Sequence, residues 1–248
     1  MSFVISAPSV SDLRFDNLYK RILAYLMELD SARFRALGDA NCRAFVRKGV
    51  SFCDARNLGF VEHIEYVHFL MYFIGTDFDR DPRYSALTQA LSDQDHVANE
   101  RVETAHRLFR PVAERFIGVG LAQAHVALSR FYETMEHTND DQLTPRLVFD
   151  AFYAAYDFAP TERDRFPEAA LVDAAVQGAQ ALGIETALGR GVCLSLALWL
   201  GTGFTNDPLF PWVRDVTAQA PNNANERALA LKAYAQKRMI KMRPKEES

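Results

Sequence analysis

Cysteine is scarce in this 248-residue chain: Cys42, Cys53 and Cys193 are an odd number, at spacings that fit neither a zinc site nor a redox pair. They are expected to be small buried apolar residues in a reducing compartment. Glycine and proline number only twelve and ten, which excludes collagen-like and low-complexity chains. Neither sign of charge dominates. With 28 Lys and Arg against 32 Asp and Glu, the formal net charge is −4, so no net field draws in phosphates or anionic lipid. Neither a nucleic-acid binder nor a membrane-surface protein is expected. Long apolar runs are missing too, since Val192 to Phe204 is well short of the roughly 20 residues that cross a bilayer. Met1 to Pro8 has no basic region and too short an apolar stretch for a secretory signal, so the expected location is the cytoplasm.

What is present is helical periodicity. Leu18, Ile22, Leu23 and Leu26 recur at helical spacing, as do Phe45, Val46, Val50 and Cys53, while sustained period-two alternation is hard to find. The expectation is an all-α fold of about ten helices. Asp39 is placed to cap a helix that stops at Leu58-Gly59, and Asp81-Pro82 and Asp207-Pro208 each read as an N-cap followed by proline at the first helical position.

The chain also resembles itself. Gly75-Thr76-Asp77-Phe78-Asp79-Arg80-Asp81-Pro82 recurs as Gly201-Thr202-Gly203-Phe204-Thr205-Asn206-Asp207-Pro208, and Ala98-Asn99-Glu100-Arg101 as Ala224-Asn225-Glu226-Arg227; 201 − 75 and 224 − 98 are both 126. Phe45-Val46 and Val50 match Leu171-Val172 and Val176 in the same register. This predicts an internal duplication within one globular body. Its expected parts are an N-terminal helical segment (1–38), a first unit (39–116), bridging helices packed on both copies (117–166), a second unit (167–242) and a charged tail (243–248). A polar loop at Thr138 to Asp141 divides the bridge, and a cleft between the units is the expected place for a partner.

Residues able to do chemistry do not converge. Asp77, Asp79 and Asp81 alternate like calcium ligands, yet the sixth loop position is Pro82 and the twelfth is Thr88, where an EF-hand needs glycine and glutamate. Glu65-x-x-His68 is half of a di-iron pattern with no second half. The six histidines pair with no nucleophile motif. Gly118-Val119-Gly120 and Gly201-Thr202-Gly203 follow no strand and read as turns. No catalytic residue, cofactor or metal is expected. The alternative is an all-helical enzyme built on residues such as Glu62, His63, His68 and Glu133, or a structural component of a larger assembly.

Ala36-Leu37-Gly38, Phe45-Val46-x-x-Gly49 and Phe73 to Pro82, together with Leu200 to Trp212, resemble small helical proteins encoded beside type VI secretion spike and toxin genes. Those proteins carry an LG-x-x-FD-x-DP-x-x-PWA segment. The first copy departs from it with Ser85-Ala86 in place of Pro-Trp, and the second lacks the FD pair. The resemblance implies a cytoplasmic protein partnered with a secreted antibacterial toxin, as an immunity protein, an effector chaperone or an accessory factor. Asp77, Asp79, Arg80 and Trp212 are the candidate partner-binding residues.

Overall fold

The computed structural model describes residues 10–138, 143–220 and 223–240. The residues 139–141 of the expected polar loop and the charged tail lie outside them, as does the stretch Met1 to Pro8. Among the described residues there is no strand, and the all-α expectation holds. In chain order the helices are α1 (Val10–Leu37), α2 (Asp39–Asp54), α3 (Val61–Ile74), α4 (Ser85–Ser92), α5 (Ala98–Phe116), α6 (Ala122–Glu136), α7 (Pro145–Ala155), α8 (Pro160–Arg163), α9 (Glu168–Leu182), α10 (Ala187–Leu200), α11 (Trp212–Gln219) and α12 (Ala224–Ile240). The 126-residue displacement reaches the element bounds. Helices α3 and α10, the starts of α5 and α12, and the 3-10 turns Phe78–Arg80 and Phe204–Asn206 are all displaced by that number.

The helix ends follow local chemistry. After α2 and α9 the chain passes through left-handed residues, Asn57 at φ 54° and Gly183 at φ 65°. The next amide then folds back: Leu58 N–H donates to the Cys53 carbonyl at 3.0 Å and Ile184 N–H to that of Ala179 at 2.9 Å. Each buries its side chain completely. Two cap expectations need correction. Asp39 does not cap α2, because Gly38 is the N-cap; its carboxylate instead accepts from the Tyr19 hydroxyl at 2.7 Å and Arg43 Nε at 2.8 Å. Asp207 caps a turn by accepting the Leu209 N–H at 2.8 Å, but no helix starts there, since α11 begins only at Trp212. Asp81 behaves as expected. It accepts the Arg83 N–H at 3.0 Å and starts a 3-10 turn with Pro82 at its first position.

Two hydrophobic cores form. Helices α1 to α5 enclose one around Phe34, Phe45, Leu70, Met71 and Phe78. Helices α6, α7 and α9 to α12 enclose the other around Phe152, Leu171, Ile184 and Phe204. The bridging helices are therefore not shared evenly, because α6 and α7 belong to the second core. Helix α7 packs on α10 as α1 packs on α3. Exchange across the boundary is limited: Leu209 enters the first core, Phe116 packs on the second, and Phe210 touches both.

All three cysteines are free and buried, and burial pushes the thiols of Cys53 and Cys193 up to about 12. At neutral pH they are inert apolar fillers rather than nucleophiles. No single described helix is long and apolar enough to cross a membrane; α9 and α10 pass that test only as a pair, bent by 116°.

His68 ties α3 to α2. Its ring is fully buried, with Nδ1 2.7 Å from the Ile64 carbonyl and Nε2 3.1 Å from the Val46 carbonyl. It lies so close to Gly49 that a β-carbon there would collide with the ring. Desolvation outweighs the two carbonyls and lowers its pKa, so at neutral pH the ring is uncharged and its single N–H serves one of the two carbonyls. The unfolded chain binds a proton there near pH 6.5, so this contribution to stability is complete above about pH 6.5 and is lost as pH falls below it. A lower urea midpoint at about pH 5.5 than at about pH 7.5 is expected, with a smaller difference in His68→Gln. An unchanged difference in that variant would place the effect elsewhere.

Candidate functional site

The two repeated turns meet back to back between the cores. Gly75 follows α3 at φ 95°, ψ 152°, and Gly201 follows α10 at φ 91°, ψ 156°. This region is open essentially to glycine alone. A β-carbon on Gly75 would lie 2.7 Å from the Leu200 carbonyl oxygen, and one on Gly201 would lie 2.8 Å from that of Ile74. The aspartates then cross over. Asp207 Oδ2 accepts the Thr76 N–H at 3.0 Å, and Asp81 Oδ2 accepts the Thr202 N–H at 3.3 Å. Each carboxylate thus caps its own turn with one oxygen and holds the opposite turn with the other. The clasp is near-symmetric, and Arg83 breaks the symmetry. Its guanidinium donates twice to Asp81, at 2.9 and 2.6 Å, and to the last-turn carbonyls of α10, Leu198 at 2.8 Å and Ala197 at 2.9 Å. A cation at a helix C-terminus is favoured electrostatically.

Each acid of the alternating run has its own cation. Lys48 donates to Asp77 at 2.8 Å and also to the Thr76 hydroxyl at 2.9 Å; Arg56 reaches Asp79 at 3.4 Å, and Arg83 holds Asp81. Three carboxylates committed to three separate cations do not converge on an ion. Among the described residues no group of three or more His, Cys, Asp or Glu could hold a metal. Asp77 also lies against Gly203, where a β-carbon would strike its carboxylate. That is why the second turn carries glycine at the position of the first turn's Asp77.

Asp77, Asp79 and Arg80 thus share one turn, with both acids half-buried and Arg80 exposed. Trp212 sits apart at the start of α11. Its ring packs 5.2 Å from that of Tyr234 and lines a second cavity with Arg33, Phe210 and Arg238. The residues of the alternative site are not gathered. Glu62 and Glu65 accept from Arg21 at 3.5 and 3.1 Å, His63 meets Asn99 at 2.8 Å, and Glu133 is exposed on α6 in the other half.

Two further features went unread in the sequence. The first is a cavity of about 310 Å³ beside the clasp, walled by Phe73, Phe116, Phe152, Tyr156, Phe166 and Trp199 from both halves. Aromatic residues scattered over five segments carry no shared spacing, so no sequence signal marks it. The second is an exposed apolar pair. Phe60 is the N-cap of α3 and Val97 that of α5, at 62% and 65% exposure and without a side-chain cap. The two helix starts are joined through His63 and Asn99. At the positions 126 residues on, Thr186 Oγ1 accepts the Gly189 N–H at 3.0 Å and Asn223 Oδ1 accepts the Asn225 N–H at 2.8 Å. The first half therefore presents apolar side chains where the second has capping ones. That contrast was available in the repeat register.

No family model matches the chain, and neither a curated protein nor a solved structure does.

Proposed function

We propose that the chain is a non-catalytic protein-binding module, formed by internal duplication, whose partner is a secreted bacterial toxin. In the resemblance it bears, such a protein works in the cytoplasm beside a type VI secretion system, as an immunity protein or an effector chaperone. The observation that carries the reading is the exposed pair Phe60 and Val97. An apolar N-cap forgoes about 1 kcal/mol relative to Ser, Thr or Asn, and this chain forgoes it twice while exposing two large apolar side chains. Departures from local stability of this kind collect at functional surfaces. The residues that suggest chemistry have structural partners instead, as Asp77, Asp79, Asp81 and His68 illustrate.

The test is co-expression with the toxin encoded beside the gene. Wild-type protein is expected to co-purify with it, and the double variant Phe60→Thr/Val97→Asn to lose about tenfold of that affinity, as the loss of two apolar anchors would. Suppressed lethality identifies an immunity protein, and recovery without suppression a chaperone. Undiminished affinity in the folded double variant, or no complex in the wild type, overturns the reading. Arg80→Glu and Trp212→Ala report whether those sites take part.

A further inference from the structure

We propose that the aromatic cavity beside the clasp is a small-molecule site for a bicyclic aromatic carboxylate. Its volume of about 310 Å³ is roughly twice that of an engineered protein cavity that admits benzene, at ~150 Å³. It also reaches the lower end of the range of natural ligand pockets, roughly 300 Å³ and above. The walls present ring faces and edges, among them Phe152 and Tyr156, which pack on Trp199 at 5.8 and 5.6 Å. A flat aromatic body fits such walls by stacking and edge contacts.

The charge of the ligand follows from the rim. Arg83 and Arg165 line the cavity, and no acidic side chain does. Arg83 is already neutralised by Asp81 and keeps one Nη1 hydrogen uncommitted beyond its bond to Leu198. Arg165 is exposed, on the segment between α8 and α9, and its guanidinium makes no hydrogen bond or ion pair with another described residue. An anionic group at the rim gains a charge-assisted bond from Arg165, with the Arg83 guanidinium behind it. One donor of the same wall also lacks a partner: Trp199 Nε1 is buried and meets no acceptor among the described residues. Buried donors left unmet in a folded protein mark places where a polar partner belongs.

This inference is independent of any protein partner, since it is read from the isolated chain. Calorimetric titration of the full chain with 2-naphthoate is expected to show saturable binding at one per chain, well below millimolar dissociation constants. Arg165→Ala, an exposed position that leaves the fold unaffected, should weaken 2-naphthoate about tenfold while leaving neutral 2-naphthamide unchanged. Ala124→Leu, which fills the cavity from α6, should abolish binding of both; Val112→Phe fills it from α5 if that variant fails to fold. No saturable binding of 2-naphthoate, equal weakening of acid and amide by Arg165→Ala, or undiminished binding in a folded cavity-filling variant would overturn the proposal.

Discussion

Gly75→Ala and Gly201→Ala should each lower the unfolding free energy by roughly 3–5 kcal/mol, far more than an ordinary loop substitution. Two costs add. Alanine at φ 95° or 91° with ψ near 155° occupies a region that costs of order 1–3 kcal/mol for a residue with a side chain. The added β-carbon then meets a backbone carbonyl of the opposite turn at 2.7 or 2.8 Å. That oxygen cannot rotate away as a side chain would, so the two turns must separate. Gly38 is the internal control. It has nearly the same backbone, φ 77° and ψ 160°, but nothing lies within 4 Å of a β-carbon there. Gly38→Ala should therefore cost only the strain, about 1–3 kcal/mol, in the same urea titration. Equal losses at Gly38 and Gly75 would mean that the turns do not press on one another.

Asp81→Ala should cost about 3–5 kcal/mol and Asp207→Ala roughly 2–4 kcal/mol. Both substitutions strip an acceptor from two backbone amides, one in the same turn and one in the other. The Asp81 change does more, because it leaves the Arg83 guanidinium, with a side chain only 10% exposed, without its carboxylate. The asparagine variants remove the charge and replace one of the two accepting oxygens with an NH2 that faces an amide N–H. Burial pushes the Asp207 carboxyl pKa up against the hydrogen bonds from Thr76 and Leu209, whereas Asp81 neutralises Arg83, so losing the charge costs less at Asp207 and Asp207→Asn should be the milder of the two. The wild type, the two single alanine variants and the double alanine variant form a cycle by urea denaturation. Coupling between Asp81 and Asp207 of 0.5 kcal/mol or more is expected for residues bound to one clasp. Strict additivity would contradict it.

Much of this architecture was legible in the chain. Burial of Cys42, Phe45, Val46, Gly49 and Cys53 on α2 follows the apolar spacing directly, and the repeated punctuation marked the helix ends. What could not be read was the second job of each punctuating residue. An Asp-Pro pair announces a local cap, but nothing in it says that the other carboxylate oxygen will cross to Thr202 or Thr76. Asp39 illustrates the same gap, since a tyrosine and an arginine one helix and one turn away claim the carboxylate that local rules assign to the backbone. The acidic run Asp77, Asp79, Asp81 looked like a group because its members are neighbours in sequence. In space each faces a different cation. Phe60 and Val97 were readable, because the same register that aligned the turns sets them against Thr186 and Asn223, and the contrast lies in what each residue can do for an amide.

The claim that stability has been given up for an exposed apolar surface meets its most direct test in urea unfolding of Phe60→Thr/Val97→Asn beside the wild type. Restoring two capping side chains should raise the unfolding free energy by about 1–2 kcal/mol. A loss of stability would show instead that Phe60 and Val97 serve the fold, and the surface would lose its standing as a partner site.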